Sequence, residues 1–339
     1  MKTLLLKPNK KSIELACQLL KQGEVVGVPT ETVYGLAGDC SNPLAIKKIF
    51  EAKGRPSDNP LIVHISNMKM LENIVSKIPD DALKLAEVFW PGPLTMIMPK
   101  GKGVCSESTA GLDSVGVRMP SNPVAKEIIE KSGIPFSAPS ANLSGKPSPT
   151  NAQDVFADMN GRIPLIIDDG TSNAGVESTV VSLLNDTPVI LRPGIVTKED
   201  IQRVLQKPVL IAKGVVCEML DNDTVISPGM KYKHYSPTAE VTIVKGSFKC
   251  FKNFVEKNNE SGVFAMCFDG EEKLLNVKSL SFGRENDGIS QAHNLFSVLR
   301  QLDKLGAKTV YARCPESTGV SLAVYNRLIR SAGFKIIEV

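Results

Sequence analysis

Residues 53–65 read Lys53-Gly-Arg-Pro-Ser-Asp-Asn-Pro60 followed by Leu61-Ile-Val-His-Ile65. Two cations, Lys53 and Arg55, stand one residue apart. Gly54 and Pro56 disfavour a helix or a regular strand there, so a stiff loop is expected. Asn59 and Pro60 then lead into an apolar run of strand length. Upstream, Pro43 to Ala52 carries helical spacing. Helix, basic loop and strand in succession form one unit of an α/β fold. The loop offers a planar guanidinium beside a point-charge ammonium, a pairing suited to phosphate. A lone Lys-x-Arg is more often a solvated turn, so its meaning depends on its neighbours.

Towards the N-terminus, Lys10 to Gln22 places Ile13, Ala16, Cys17 and Leu20 on one helical face, with Gly23 as the stop. Val25–Val28 reads as a short buried strand. It runs into Pro29-Thr-Glu-Thr-Val-Tyr-Gly35, a hydroxyl-rich segment expected to be a ligand loop. Towards the C-terminus come a helix (Pro79–Phe89), a strand (Leu94–Met98), a Gly/Ser-rich loop (101–114) and a strand (Val115–Met119). Arg118 interrupts that last apolar run, and an arginine facing a core needs an anion. Asn122-Pro123 opens a helix with an N-cap and a first-turn proline. Pro135–Ser148 is rich in small and hydroxyl side chains, which let a ligand approach the backbone. A helix (Asn151–Asn160), three strands (Leu165–Asp168, Ser178–Leu183, Val189–Arg192) and a helix from Thr197 to Gln206 complete a first domain, 1–207.

Periodicity fades over 208–238, read as an interdomain linker. Its Ser227-Pro-Gly-Met-Lys-Tyr-Lys-His-Tyr-Ser-Pro237 is too rich in bases and aromatics for a passive spacer. From 239 to 339, strands near 241–244, 262–268, 278–282, 309–313 and 335–339 alternate with helices near 248–258, 289–305 and 320–332. That order implies a smaller, mostly parallel α/β domain. No G-x-G-x-x-G opens its first helix, which leaves a dinucleotide site unsupported.

A chain of 339 residues fits two such domains. A net charge of +4 makes any nucleotide or nucleic-acid binding a local matter. Seven scattered cysteines without a C-x-x-C pair point to reduced thiols rather than a disulfide framework or zinc site. The N-terminal Leu4-Leu-Leu6 run is too short for a signal-peptide core, and no run has transmembrane length. A cytoplasmic protein without a membrane partner is expected.

Walker A, kinase, G-x-S-x-G and H-E-x-x-H signatures are all missing from the sequence. Instead the first domain offers Lys53, Arg55, Arg118 and Arg192 with Thr30, Thr32, Ser140, Asn142, Ser148 and Ser178. Such a set suits substitution at phosphorus by positioning and charge neutralisation, without an enzyme nucleophile.

Pro29-Thr-Glu-Thr-Val-Tyr-Gly-Leu36, Lys53-Gly-Arg55 with Asn59-Pro-Leu61, Gly116-Val-Arg-Met-Pro120, Ser137-Ala-Pro-Ser-Ala-Asn-Leu-Ser-Gly145 and Leu191-Arg-Pro-Gly194 together resemble the YrdC-like domain of threonylcarbamoyl-AMP synthases. The linker and tail resemble the long, two-domain form of that family. The resemblance implies a twisted mixed-sheet α/β domain followed by a smaller Rossmann-like α/β domain. It also implies a nucleotidyltransferase that converts L-threonine, bicarbonate and ATP into threonylcarbamoyl-AMP and pyrophosphate, for the t6A modification of tRNA at position 37. Mg²⁺ would come bound to the phosphates, with no metal ligand from the protein. The product would pass to a downstream tRNA threonylcarbamoyl transferase, with weak RNA contact conceivable.

Carried residue by residue, the resemblance gives threonine to Thr32, His64, Arg118, Ala138 and Ser178. It gives ATP to Lys53, Arg55, Asn59, Ser114, Ser140, Asn142, Ser148, Arg192 and Tyr232, with Lys53 and Arg55 as the catalytic pair. Tyr232, His234 and Tyr235 would form a gate. Two other readings explain less. An RNA-binding scaffold accounts for the cations but not for the threonine-type segments. A carbamoyl-transfer maturation factor needs cysteine pairs that this chain does not have.

Overall fold

The computed structural model describes residues 1–57, 59–215 and 235–339. The described residues fall into two units. One contains Met1–Ser144 and Ser148–Val215; the other contains Gly145–Pro147 and residues 235–339.

In the first unit the described strands are β1 (Leu4–Leu6), β2 (Val26–Val28), β3 (Gly35–Asp39), β4 (Ile62–His64), β5 (Leu94–Pro99), β6 (Ser114–Arg118), β7 (Phe136–Ser137), β8 (Leu165–Ile167), β9 (Thr179–Ser182), β10 (Val189–Arg192) and β11 (Leu210–Ile211). They form one mixed sheet in the order β1-β8-β2-β3-β7-β4-β6-β5-β9-β10-β11. The helices are α1 (Lys10–Lys21), α2 (Pro43–Lys53), α3 (Met68–Ile74), α4 (Asp80–Phe89), α5 (Pro123–Ser132), α6 (Ala152–Met159) and α7 (Lys198–Leu205).

Side-chain alternation covers the sheet on both faces. Leu165 and Ile167 of β8 pack with Ile13 and Leu20 of α1 and Ile128 of α5. Ile166, between them, packs with Ile46 and Ile49 of α2 and Val155 of α6. A third cluster joins Leu71 of α3, Leu85 of α4 and Ile201 of α7 to Met96, Val117 and Val181 of the sheet. Each fully buried Leu or Ile contributes roughly 1.5–3 kcal/mol. The α5 start forms as its sequence dictates: the Asn122 side chain accepts from the Val124 and Ala125 amides at 2.9 and 3.0 Å.

The second unit has β12 (Glu240–Lys245), β13 (Val263–Cys267), β14 (Ser279–Ser281), β15 (Thr309–Arg313) and β16 (Ile336–Glu338), with α8 (Phe248–Lys257), α9 (Gly288–Lys304) and α10 (Ser321–Ser331). The strand order is β14-β13-β15-β12-β16 and every pairing is parallel. This is the small parallel α/β sheet implied by the alternating pattern, and the Rossmann-like domain implied by the resemblance.

Several details differ from the sequence reading, among them the short strands β1 and β7, which it did not contain. Lys53 is not a loop residue: it closes α2, and Gly54 ends the helix at φ 61°. Gly35 opens a strand rather than closing a loop. A Cβ at Gly35 would lie 3.1 Å from Ala138 Cβ, so glycine here permits close strand packing rather than a turn. Helix α3 was unforeseen; the Asn67 side chain caps it by accepting from the Met70 amide at 3.1 Å. Leu210–Ile211, placed in the linker, pairs in parallel with β10.

Gly35→Val is expected to destabilise the protein by about 1–3 kcal/mol through overpacking. Urea unfolding would measure this. An unchanged midpoint would show that Ala138 yields freely.

Candidate active site

Strand register builds the first part of the site. His64 on β4 is the register partner of Arg118 on β6 and of Phe136 on β7. The Arg118 guanidinium is buried and held on three sides. Its Nε donates to the Gly92 carbonyl at 3.2 Å, one Nη donates to Thr32 Oγ1 at 2.8 Å, and the other lies 2.6 Å from Glu31 Oε1. Thr32 is set in turn by Thr30, whose Oγ1 lies 2.9 Å from Thr32 Oγ1 and donates to the Val33 carbonyl at 2.6 Å. The anion that a core-facing arginine requires is therefore Glu31. It stood inside the quoted Pro29–Gly35 segment but was not singled out. An acidic residue flanked by the two threonines of a ligand loop was the available signal.

Burial and hydrogen bonding set the charges. Burial pushes the Glu31 carboxyl up, but the Arg118 charge and hydrogen bonds from Arg118 and the Ser121 amide outweigh this and hold it below its usual range. His64 is buried, stacked on Phe136 at 5.5 Å, and has Nδ1 3.1 Å from the Ile62 carbonyl. Its burial and the Arg118 charge lower its pKa from 6.5 to about 3. At neutral pH it is an uncharged ring.

The histidine has a consequence for stability. The unfolded chain takes up a proton near pH 6.5, whereas the folded chain resists protonation until about pH 3. Its contribution is therefore complete above pH 6.5 and is lost as pH falls through that window. The limiting slope is about 1.4 kcal/mol per pH unit. His64→Asn should flatten the dependence of the unfolding midpoint between pH 6 and about 4. An unchanged slope would contradict this assignment.

A second cluster surrounds Ser178. Its Oγ lies 2.8 Å from Thr95 Oγ1, and Arg192 donates to its carbonyl and its Oγ, each at 3.1 Å. Gly92, which accepts from Arg118, is followed by Pro93, which accepts from the Thr179 amide at 3.0 Å. Arg118 and Thr179, the residue after Ser178, are thereby tied to successive residues of the chain.

The third cluster is organised by Lys53. Its Nζ, buried at the end of α2, donates to the Ser140 carbonyl and, at 2.9 Å, to the Asn142 carbonyl. Ser140 Oγ donates to Asn142 Oδ1 at 2.6 Å. The same loop is fixed to β3: the Leu36 amide donates to the Pro139 carbonyl and the Ala141 amide to the Tyr34 carbonyl. Beyond it, Ser148 Oγ donates to Glu177 Oε1 at 2.6 Å. Ala138 donates its amide to the Ile62 carbonyl, which places it beside β4.

Asn59 is fully buried, yet neither atom of its side-chain amide has a hydrogen-bond partner among the described residues. Leaving such groups unpaired costs about 1–3 kcal/mol each.

Arg55 follows the glycine that ends α2, and Ser114 begins β6. Ser114 shares a small cavity with Thr95, Ile62 and Val180. Tyr232 and His234 lie outside the described residues. Tyr235 has φ 63° and is buried in the second unit, with its ring stacked on Phe296 at 5.2 Å and the Arg327 guanidinium 5.9 Å from its centre. No described helix is long and apolar enough to cross a membrane.

Comparison with known proteins is consistent along the chain. Residues 18–194 match the Sua5/YciO/YrdC family model, described as "Telomere recombination". Residues 196–333 match the model of the threonylcarbamoyl-AMP synthase C-terminal domain. The Bacillus subtilis threonylcarbamoyl-AMP synthase is 44% identical over 338 residues, covering 98% of this chain and 96% of the relative. The Pyrococcus abyssi synthase is 42% identical, covering 96% of each. The crystal structure of P. abyssi Sua5 complexed with L-threonine superposes with a TM-score of 0.90 at 41% identity, covering 100% of this chain and 99% of that one. Two family models in tandem and relatives matched along nearly their whole length agree with the five sequence motifs: this chain belongs to the threonylcarbamoyl-AMP synthase family, in its long, two-domain form.

Proposed function

We propose that this chain makes threonylcarbamoyl-AMP and pyrophosphate from L-threonine, bicarbonate and ATP, as a nucleotidyltransferase whose product supplies the t6A modification of tRNA. The observation that carries this reading is the Arg118 site. A buried guanidinium has three of its five N–H groups engaged, which leaves two for a substrate carboxylate. Thr32, neutral His64, Ala138 and Ser178 would complete the amino-acid pocket.

The threonine ammonium first gives up a proton to solvent; the free amine then attacks the carbon of bicarbonate, the C–N bond forms, the C–OH bond breaks, and the displaced hydroxide leaves as water with a proton lost from the nitrogen. An oxygen of the new carbamate then attacks the α-phosphorus of ATP, and the bond to the bridging oxygen breaks. That oxygen leaves with its electron pair in pyrophosphate. Lys53, Arg55 and Arg192 would balance the charge on the phosphates, while Asn59, Ser114, Ser140, Asn142 and Ser148 would orient the nucleotide. The unpartnered Asn59 amide supports that role. Mg²⁺, carried on the phosphates, would supply charge neutralisation there, with no ligand from the protein. Among the described residues no group of three or more His, Cys, Asp or Glu is placed to hold an ion. Cytoplasmic location and transfer of the product to a tRNA-modifying transferase belong to the same proposal.

Labelled ATP tests the bond that breaks. An α-phosphate label is expected in threonylcarbamoyl-AMP, and a γ-phosphate label in pyrophosphate. Release of the γ label as orthophosphate with ADP would place the chemistry at the γ-phosphorus and contradict adenylyl transfer.

A further inference from the structure

Glu31 is the one carboxylate that pairs with Arg118 among the described residues, and no role has so far been given to it. Its side chain is 12% exposed and Arg118 is 4% exposed, so the pair at 2.6 Å is largely removed from water. Its backbone is held too: the Glu31 carbonyl accepts from the Ala174 amide at 2.8 Å. On one side Glu31 borders a polar cavity of about 270 Å³ shared with Ser121, Asn122 and Asp169, and no lysine or arginine lines that cavity. The charges bearing on His64 are those of Arg118 and Glu31, and the ring itself stays neutral. Within this pair one cation meets one anion and their charges cancel, while the further cation Arg192 is held on Ser178.

The geometry points to Glu31 as a specificity-determining and positioning residue: by neutralising Arg118 it makes the pocket select an amino-acid zwitterion over a bare carboxylate. This rests on the reading of Arg118 as the carboxylate clamp. An isolated buried guanidinium would attract any small carboxylate, and most strongly one with net negative charge. With Glu31 beside it, an anion without an ammonium group brings an uncompensated charge into a low-dielectric pocket, whereas a zwitterion brings none. Glu31 also fixes one edge of the guanidinium, leaving the remaining N–H groups in a set direction.

Calorimetric titration of the full-length protein with L-threonine and with 3-hydroxybutyrate, which is threonine without its amino group, tests this. Wild-type protein should bind threonine and strongly reject 3-hydroxybutyrate. In Glu31→Gln the preference should narrow by roughly tenfold or more, because threonine weakens while the anion gains. Glu31→Asp keeps the charge and should keep the preference even where both affinities fall. Parallel loss of both ligands in Glu31→Gln would reduce Glu31 to a packing role and overturn the inference, as would an unchanged preference. Failure of the wild-type protein to bind threonine would instead overturn the reading of the Arg118 pocket on which the inference rests.

Discussion

Lys53→Ala is expected to lower turnover by roughly two to three orders of magnitude, with threonine binding little changed. Two effects combine. The ammonium group would stabilise charge developing on the phosphates during transfer, where a preorganised cation in a buried site acts most strongly. The same Nζ bridges the Ser140 and Asn142 carbonyls, so its loss also releases the loop that would hold the nucleotide. Lys53→Met keeps the buried stem while removing the charge and both hydrogen bonds, so it separates these from the packing lost in Lys53→Ala. A charge-assisted bond contributes about 1.5–3 kcal/mol, so both variants should unfold at lower urea. A variant with reduced stability and undiminished turnover would make Lys53 a structural staple only.

Arg118→Ala should raise the threonine KM by roughly a hundredfold or more and leave the ATP KM close to its original value. Removing one partner of a buried charge pair costs about 2–5 kcal/mol, because the partner is left behind unpaired. Here that partner is Glu31, already held below the usual carboxylate range. In the variant its value should rise, and threonine binding should become more sensitive to acid than in the wild-type protein. An effect confined to ATP would mean that the guanidinium serves the nucleotide.

Much of this arrangement was legible in the sequence, for physical reasons that differ by element. Helix α1 announced itself through a clean apolar face and its Gly23 stop, and α5 through its Asn122-Pro123 start; the Asn9 cap of α1 gave no signal that was read. The second unit was legible because strand and helix alternate with short connections. Arg118 was marked by its place in an apolar strand, which demanded an anion, but nothing in the pattern said which carboxylate would arrive. That answer depends on pairing between segments 86 residues or more apart. Lys53 was misplaced into a loop because a basic residue before Gly looks like a turn; the left-handed glycine lies one residue later and serves as the helix end. Gly35 misled in the opposite direction, since glycine in a sequence suggests a turn while here it serves close contact with Ala138. Glu177 and Thr95, which hold Ser148 and Ser178, gave no local signal at all.

The most direct measurement is pyrophosphate release from ATP by the full-length protein, with bicarbonate and L-threonine each present or omitted and L-serine as the control amino acid. Release that requires both threonine and bicarbonate, and is weak with serine, is the predicted result. Release that proceeds without threonine, or none at all from folded protein supplied with all three substrates, would contradict it.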